Sequence, residues 1–241
     1  MASALILGAS GDIGTAVAKR QAAEGWSLYL HYNQHEDVVT ALAKKLSQQY
    51  PHQDFIPVQA DLTDLQSPEK LANNLFGLDA VVVASGMTYY ELFADTNLKH
   101  MSDLMRVHLL GPMALLKLVQ PKLARSGHGR VVFIGSVYGQ QGSAMEVTYS
   151  TVKAAQSGFA RAYAQEVASL GITVNVVAPG AIDTKMNASF GHEALEAVRE
   201  EIPTGRLGTP DDIAYFVKTL LDAEAGYING QTIYVTGGWQ A

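Results

Sequence analysis

Short apolar segments alternate with longer amphipathic segments along the whole chain. Seven segments are near-continuous runs of Val, Ile, Leu and Ala, as expected of parallel strands that are covered on both faces. They are Ala4–Leu7, Ser27–Tyr32, Phe55–Gln59, Ala80–Ala84, Val131–Ile134, Thr173–Ala178 and Thr232–Val235. Helical patterns fill the intervals between them. The alternation predicts an α/β fold, a doubly wound parallel sheet of about seven strands with helices on both faces.

Two helices have readable starts. Ser67-Pro68 and Thr209-Pro210 each place a hydroxyl, which can cap a helix, before a proline at the first helical position. No Ser/Gly-rich linker, charge block or repeat divides the 241 residues. Residues 1–241 are therefore predicted to form a single domain.

Composition limits the functions that the chain can have. Hydrophobic residues make up 48% and charged residues 17%, which is enough apolar material for a sizeable core. The net charge of −6 argues against a general electrostatic grip on nucleic acid or on an anionic membrane. No cysteine is present, and the seven histidines form no motif with metal-ligand spacing. No apolar run approaches the roughly 20 residues needed to span a bilayer. Together these features predict a cytoplasmic protein without a metal, a nucleic-acid partner or a membrane span.

The first strand leads directly into a glycine-rich turn. Its sequence runs from Gly8 to Gly14, and a helix is predicted to begin at about Thr15. Glycines let backbone N–H groups approach a pyrophosphate closely, and a helix N-terminus favours its negative charge. A tight strand-to-helix turn without a ligand is the alternative. The strand–turn–helix context at the start of an alternating fold favours a dinucleotide site.

This turn resembles the signature Thr-Gly-x-x-x-Gly-x-Gly of the short-chain dehydrogenase/reductase family, whose fold is of the Rossmann type. Gly8 and Gly14 match its first and third glycines, whereas Asp12 stands at the second and Leu7 replaces the threonine. Because a carboxylate beside a diphosphate weakens binding, we expect Asp12 to turn away and cap the helix. The resemblance implies that the turn contacts the cofactor through Gly8, Ser10, Gly11, Asp12, Ile13 and Gly14.

The adenosine end of such a site would come from the second and third strands. Asp61-Leu62 resembles the family's acidic pair that contacts adenine, although Asp61 could instead be a turn or helix-cap residue. An acidic side chain at the end of the second strand would favour NAD, and that position falls on Tyr32 or Asn33, neither of which carries a negative charge. NADPH is therefore expected over NADH. Ser10, Asn33 and His35 would hold its 2′-phosphate, because the arginine that many NADP-using relatives carry is Gly11 here.

A second group of residues points to the reaction. Ser136 follows the fifth strand, Tyr149 comes thirteen residues later, and Lys153 follows Tyr149 by one helical turn. An ammonium near a phenol lowers its pKa from about 10 towards the range of a general acid. Taken alone, Tyr-x-x-x-Lys could also be a solvated helix face. The three residues together resemble the family's catalytic triad, which implies that Tyr149 protonates a carbonyl while Ser136 hydrogen-bonds it.

The resemblance continues beyond the triad. The segment from Asn175 to Thr184 is similar to the stretch that binds the nicotinamide carboxamide, and Ser85-Gly86 keeps the small residues after the fourth strand. It implies further cofactor contacts from Gly86, Tyr149, Lys153, Pro179, Gly180, Ile182 and Thr184. His108 stands where relatives usually have a catalytic asparagine, whose carbonyl holds a proton-relaying water. His108 is either such a relay residue or a packed helix residue.

The substrate is less clearly indicated. The overall resemblance is to bacterial 3-oxoacyl-acyl-carrier-protein reductases, which implies NADPH-dependent reduction of a small or carrier-bound ketone. Leu30–Asn33, Val107-His108 and Glu146–Tyr149 look like a narrower group, the elongation factor P 5-aminopentanone reductases. Their ketone carries an ammonium group, which Glu146 could bind unless it points to solvent. Tyr138 and Met145, with Tyr89 and Tyr90, are expected to line the rest of the pocket.

A catalytically silent nucleotide-sensing protein on the same fold is a third reading, because fold alone does not fix function. The intact triad argues against it, since a sensor needs no proton donor. Residues 185–201 are predicted to be a substrate lid that presents Met186 and Phe190, with an ordinary surface helix as the alternative. Relatives imply a homotetramer that pairs the helix bearing Tyr149 and one helix around Leu98–Leu123.

Overall fold

The computed structural model describes residues 2–188 and 191–239, and one parallel sheet runs through them. Its seven strands lie in the order β3-β2-β1-β4-β5-β6-β7. They are β1 (Ser3–Leu7), β2 (Ser27–Tyr32), β3 (Phe55–Gln59), β4 (Ala80–Val83), β5 (Arg130–Ile134), β6 (Thr173–Pro179) and β7 (Thr232–Val235). Each predicted strand agrees with the observed one to within a residue at either end. The predicted doubly wound fold of the Rossmann type is confirmed.

Helices cover both faces of the sheet. They are α1 (Asp12–Ala23), α2 (Glu36–Gln49), α3 (Ser67–Asn73), α4 (Leu98–Met105), α5 (Gly111–Arg125), α6 (Tyr138–Gln141), α7 (Val147–Val167), α8 (Lys185–Ala188), α9 (His192–Glu201) and α10 (Pro210–Leu221). Alternate residues of β1 separate the two cores. Ala4 and Ile6 pack with α1, α2 and α10, whereas Leu5 and Leu7 pack with α3, α5 and α7. Among the described residues, no helix is long and apolar enough to span a bilayer.

The helix starts follow the predictions in part. Thr209 caps α10 as predicted, and Asp212 returns the bond in a complete capping box. The prediction for Ser67 is wrong, because Gln66 is the N-cap of α3 and the Ser67 hydroxyl accepts from the Asp61 N–H at 3.0 Å. Helix α1 begins at Asp12, three residues before the predicted Thr15. A glycine at position 14 permits this early start, because a Cβ there would collide with the carbonyl oxygen of Gly8.

The predicted single helix around Leu98–Leu123 is interrupted. A turn of π-helix at Arg106–Leu110 separates α4 from α5, and the N–H of Gly111 bonds back to the carbonyl of Arg106. Pro112 follows at the start of α5 and has no N–H to donate to the carbonyl of His108, four residues earlier. That carbonyl is therefore available to a partner outside the helix. Such π-turns occur frequently at functional sites.

Candidate active site

A cleft of about 920 Å³ lies beyond the carboxyl ends of the strands, at the point where the sheet order reverses between β1 and β4. It is lined by every residue that was expected to bind the cofactor: Gly8, Ser10, Gly11, Asp12, Ile13, Gly14, Asn33, Asp61, Leu62, Gly86, Tyr149, Lys153, Pro179, Gly180, Ile182 and Thr184. Ser136, His108, Glu146 and Tyr138 line the same cleft. The tertiary structure thus brings both groups of sequence motifs into one site.

The glycine turn has the shape that a diphosphate requires. Gly8 has a φ of 76°, and a Cβ there would lie 2.7 Å from the backbone of Ser85, so β1 and β4 approach each other as closely as glycine allows. Gly11 is the N-cap of α1 and supplies no side-chain hydrogen bond. The N–H groups of the first turn of α1 therefore have no side-chain cap and lie at the cleft, which is the arrangement by which helix N-termini bind anions.

The expected role of Asp12 as a helix cap is wrong. Asp12 is the first residue of α1, and its Oδ2 accepts a 2.7 Å hydrogen bond from the backbone N–H of Lys185. The carboxylate does turn away from its own helix terminus, as expected, but towards the first residue of α8. It thereby links the glycine turn to the segment 185–201 across the cleft.

Asp61 stabilises the turn after β3, at the end of the cleft that is expected to receive adenosine. Its Oδ1 accepts from the N–H of Thr63 at 2.9 Å and from the Thr63 hydroxyl at 2.8 Å, which fixes the turn after β3. Leu62 is buried beside it. The turn role that was left open for Asp61 is therefore present, and the residue lines the cleft as well. Asn33 and His35 lie at the same end, with no carboxylate between them.

Ser136, Tyr149 and Lys153 converge at the centre of the cleft. Tyr149 and Lys153 lie on one face of α7, with the Lys153 Nζ 5.5 Å from the centre of the Tyr149 ring. Lys153 is buried and donates a 2.7 Å hydrogen bond to the carbonyl of Ile134, at the end of β5. The Ser136 hydroxyl accepts from the N–H of Tyr138 at 3.1 Å, which holds its oxygen at the mouth of the strand.

The expectation of a lowered pKa for Tyr149 is wrong, because its pKa is raised. Exclusion of water and then the negative charge of Glu146 raise the pKa of Tyr149 well above its usual value, while a hydrogen bond with Ser136 opposes the rise. Burial lowers the pKa of Lys153 to about 7, so the ammonium loses part of its charge near neutral pH. Tyr149 is consequently protonated at neutral pH, which is the state that a proton donor needs.

His108 is fully buried, and the edge of its ring faces Tyr149 at 5.6 Å between centres. Its Nε2 lies 2.8 Å from the carbonyl of Met87, and its Nδ1 has no hydrogen-bond partner among residues 2–188 and 191–239. Burial and then the charge of Lys153 lower the pKa of His108 to about 3, so the imidazole is neutral. The side chain of Gln156 donates to the His108 carbonyl at 2.8 Å, the atom that was expected to hold a water.

Glu146 does not point to solvent. It is 6% exposed, precedes α7, and accepts a 2.7 Å hydrogen bond from the hydroxyl of Thr88. Met145 before it has a φ of 63°, which is rare for a side chain of this kind and turns Glu146 inward. The carbonyl of Met145 accepts from the N–H of Glu91 at 2.9 Å. Glu146 is therefore a carboxylate built into the wall of the cleft.

Aromatic and apolar side chains close the outer part of the cleft. Tyr138 meets Trp239 edge to face at 6.3 Å between ring centres, and Tyr90 lies on the same wall. The segment 185–201 contributes Met186, Leu195 and Val198, whereas Phe190 lies outside the described residues. Met145 and Tyr89 are not among the described residues that line the cleft. The Tyr89 ring stacks on His100 instead.

Several cleft residues had no signal in the sequence patterns. His31 lies near the end of an apolar strand, Thr88 follows a strand in a loop, and Trp239 follows β7. Gln156 reads as a polar position of an amphipathic helix but is fully buried. Pro112 could have indicated the contact of Gln156 with His108, because its missing N–H leaves the His108 carbonyl without a helical partner.

Comparison with known proteins supports the geometry. The family model described as Enoyl-(Acyl carrier protein) reductase matches residues 8–240. An uncharacterized oxidoreductase of Bacillus subtilis, YmfI, is 39% identical over 238 residues, 98% of each chain. The 3-oxoacyl-[acyl-carrier-protein] reductase FabG of Escherichia coli is 34% identical over 98% of this chain and 96% of its own.

A solved structure from Beutenbergia cavernae, assigned as an NAD(P)-dependent gluconate 5-dehydrogenase, superposes with a TM-score of 0.92 at 29% identity. The match covers 99% of this chain and 96% of that one, which contains NADP at low occupancy. The full-length matches and the Ser-Tyr-Lys cleft lead to one conclusion. The chain belongs to the short-chain dehydrogenase/reductase family of oxidoreductases.

Proposed function

We propose that the protein is an NADPH-dependent reductase that transfers hydride to a ketone of the 3-oxoacyl-acyl-carrier-protein reductase type, with Tyr149 as the proton donor. One observation carries the proposal. The same cleft holds a glycine turn shaped for a diphosphate and, at its centre, a buried lysine, a serine hydroxyl and a protonated tyrosine. A protein that only sensed the nucleotide would have no need of this proton donor.

Ser136, Tyr149 and Lys153 have different roles in the proposed reaction. NADPH supplies the hydride when it is bound. The Ser136 and Tyr149 hydroxyls hydrogen-bond the substrate carbonyl oxygen, and Tyr149 gives its proton to that oxygen as negative charge develops. Lys153, anchored on the Ile134 carbonyl, lies beside the Tyr149 ring, and its protonated form attracts the negative charge left on Tyr149, against the larger effects of burial and Glu146. Fixed donors of this kind need little reorganisation during the reaction.

The choice of NADPH rests on the adenosine end of the cleft. A carboxylate would repel a 2′-phosphate, and the residues that line this end after β2 are Asn33, Gln34 and His35. A relative that is 29% identical was solved with NADP bound. The KM values for NADPH and NADH, measured with one ketone, test the choice. We expect the lower value for NADPH, and a lower value for NADH would overturn it.

A second candidate substrate is a ketone that carries an ammonium group, such as the 5-aminopentanone group on elongation factor P. The buried carboxylate of Glu146 favours it, because an anion in the cleft wall stabilises a bound cation. Glu146 accepts from Thr88, and no Lys, Arg or His of the described chain forms a salt bridge with it. An acyl chain offers nothing to pair with this charge.

Turnover of NADPH with an acetoacetyl thioester beside a short amino-ketone separates the candidates. Faster turnover of the thioester supports the acyl reductase, and faster turnover of the amino-ketone supports the second candidate. Glu146→Gln, which keeps an acceptor for Thr88, should weaken binding of the amino-ketone alone. Tight NADPH binding without turnover of any ketone in a broad panel would instead favour a nucleotide sensor.

A further inference from the structure

His31 joins the two turns that flank the adenosine end of the cleft. It is the fifth residue of β2 and is 3% exposed, yet it lines the cleft. The backbone N–H of Gly8, in the glycine turn, donates to its Nδ1 at 3.0 Å. Its Nε2 lies 3.0 Å from the carbonyl of Ala60, directly before the turn at Asp61. One side chain therefore bridges the ends of β1 and β3.

The two partners fix the state of the ring. An N–H group can only donate, so Nδ1 must be an acceptor, and a carbonyl can only accept, so Nε2 must carry the proton. A doubly protonated ring would lose the bond to Gly8. Burial lowers the pKa of His31 to about 4, which keeps the ring neutral at the pH of the cytoplasm.

We propose that His31 is a positioning residue for the cofactor, acting through its hydrogen bond to Gly8. The proposal rests on the use of NADPH proposed above. Gly8 has a left-handed φ, and the plane of the peptide group before it is held at two points: the Leu7 carbonyl accepts from the N–H of Ala84 at 3.0 Å, and the Gly8 N–H donates to His31. That plane sets the direction of the following backbone N–H groups, which the diphosphate would meet. A hydrogen bond in the wall of the site thus becomes a determinant of cofactor affinity.

Two variants of equal charge separate this role from simple packing. His31→Asn places an amide oxygen near the position of Nδ1 and can still accept from Gly8, whereas it loses Ala60. His31→Gln reaches the position of Nε2 and can still donate to Ala60, whereas it loses Gly8. Both lose one buried hydrogen bond, so we expect similar decreases in melting temperature.

The NADPH dissociation constant, measured by fluorescence titration, should differ between them. We expect a value about tenfold higher for His31→Gln, the effect of one lost hydrogen bond, and within about threefold of wild type for His31→Asn. At saturating NADPH, kcat should change by less than about twofold in both, because His31 does not touch the reacting atoms. Equal dissociation constants, or losses of affinity that follow the melting temperatures, would overturn the positioning role.

The wild-type protein provides an independent measurement. Nitrogen NMR of labelled histidine should show His31 as the neutral ring protonated at Nε2, and a charged or Nδ1-protonated ring would overturn the proposal. Absence of NADPH binding by the wild-type protein would overturn the proposed cofactor. Normal wild-type binding with indistinguishable variants would overturn the role of His31 alone.

Discussion

The Oδ2 atom of Asp12 accepts a hydrogen bond from the backbone N–H of Lys185 at 2.7 Å, across 173 residues of sequence. The carboxylate that departs from the glycine signature of the family thereby connects the phosphate-binding turn to the start of the segment that partly covers the cleft. The Asp12 carboxylate therefore has two opposing effects on cofactor binding. The negative charge opposes a diphosphate, and the hydrogen bond holds the covering segment.

Variants of Asp12 should separate these effects. Asp12→Asn keeps an acceptor for Lys185 but removes the charge, so NADPH should bind about two- to fivefold more tightly at low ionic strength, with a smaller gain in salt. Asp12→Ala removes both, so trypsin should cleave after Lys185 faster than in the Asn variant. Fluorescence titration and timed proteolysis measure the two outcomes. Equal cleavage rates in the two variants would show that the contact does not restrain the segment.

Tyr149 and Lys153 should respond differently to substitution. Tyr149→Phe removes only the acid, so kcat for ketone reduction should fall by about 10²–10⁴-fold with near-normal NADPH affinity. Lys153→Met keeps bulk without charge and should lose comparable activity while also binding NADPH more weakly. Steady-state kinetics and NADPH titration give both values. Near-full kcat in Tyr149→Phe would remove the main support for the reductase assignment.

Glu146 should set the pH dependence of the reverse reaction. Oxidation of the alcohol product needs Tyr149 without its proton, so its rate rises as the pH approaches the pKa of Tyr149. Because the charge of Glu146 raises that pKa, Glu146→Gln should move the midpoint to lower pH. Thr88→Val, which removes the hydrogen bond but leaves the carboxylate, is the control. A midpoint that moves equally in both variants would exclude the charge as the cause.

We expect the protein to form a homotetramer through α4, α5 and α7, the assembly that the family resemblance implied. Leu98 is 81%, Leu110 44% and Leu118 42% exposed in the single chain, which leaves apolar surface on this side. Light scattering at micromolar concentration should give four times the mass of the 25.8 kDa chain. Leu118→Glu should reduce that mass, whereas Ile56→Glu on the edge strand β3 should not. A wild-type monomer would refute the expectation.

Local sequence patterns predicted the fold and many residues of the candidate site. The apolar runs predicted all seven strands, because strands buried on both faces need continuous Val, Ile and Leu. The glycine turn and the group Ser136, Tyr149 and Lys153 could also be predicted from the sequence, because each motif is local. Each motif lies within one turn, one helical repeat or one strand end, and parallel strands bring those ends together.

Contacts between distant parts of the chain were decided only by the tertiary structure. The partner of Asp12, the burial of Glu146 against Thr88 and the bond from Gln156 to His108 join positions 173, 58 and 48 residues apart. The raised pKa of Tyr149 follows from that packing, since water exclusion and the charge of Glu146 outweigh what its spacing from Lys153 suggests. Periodicity reports which face of an element is buried, whereas the identity of a polar partner depends on how elements pack. The sequence by itself therefore determined the fold and the chemical groups, and packing determined their hydrogen bonds and protonation.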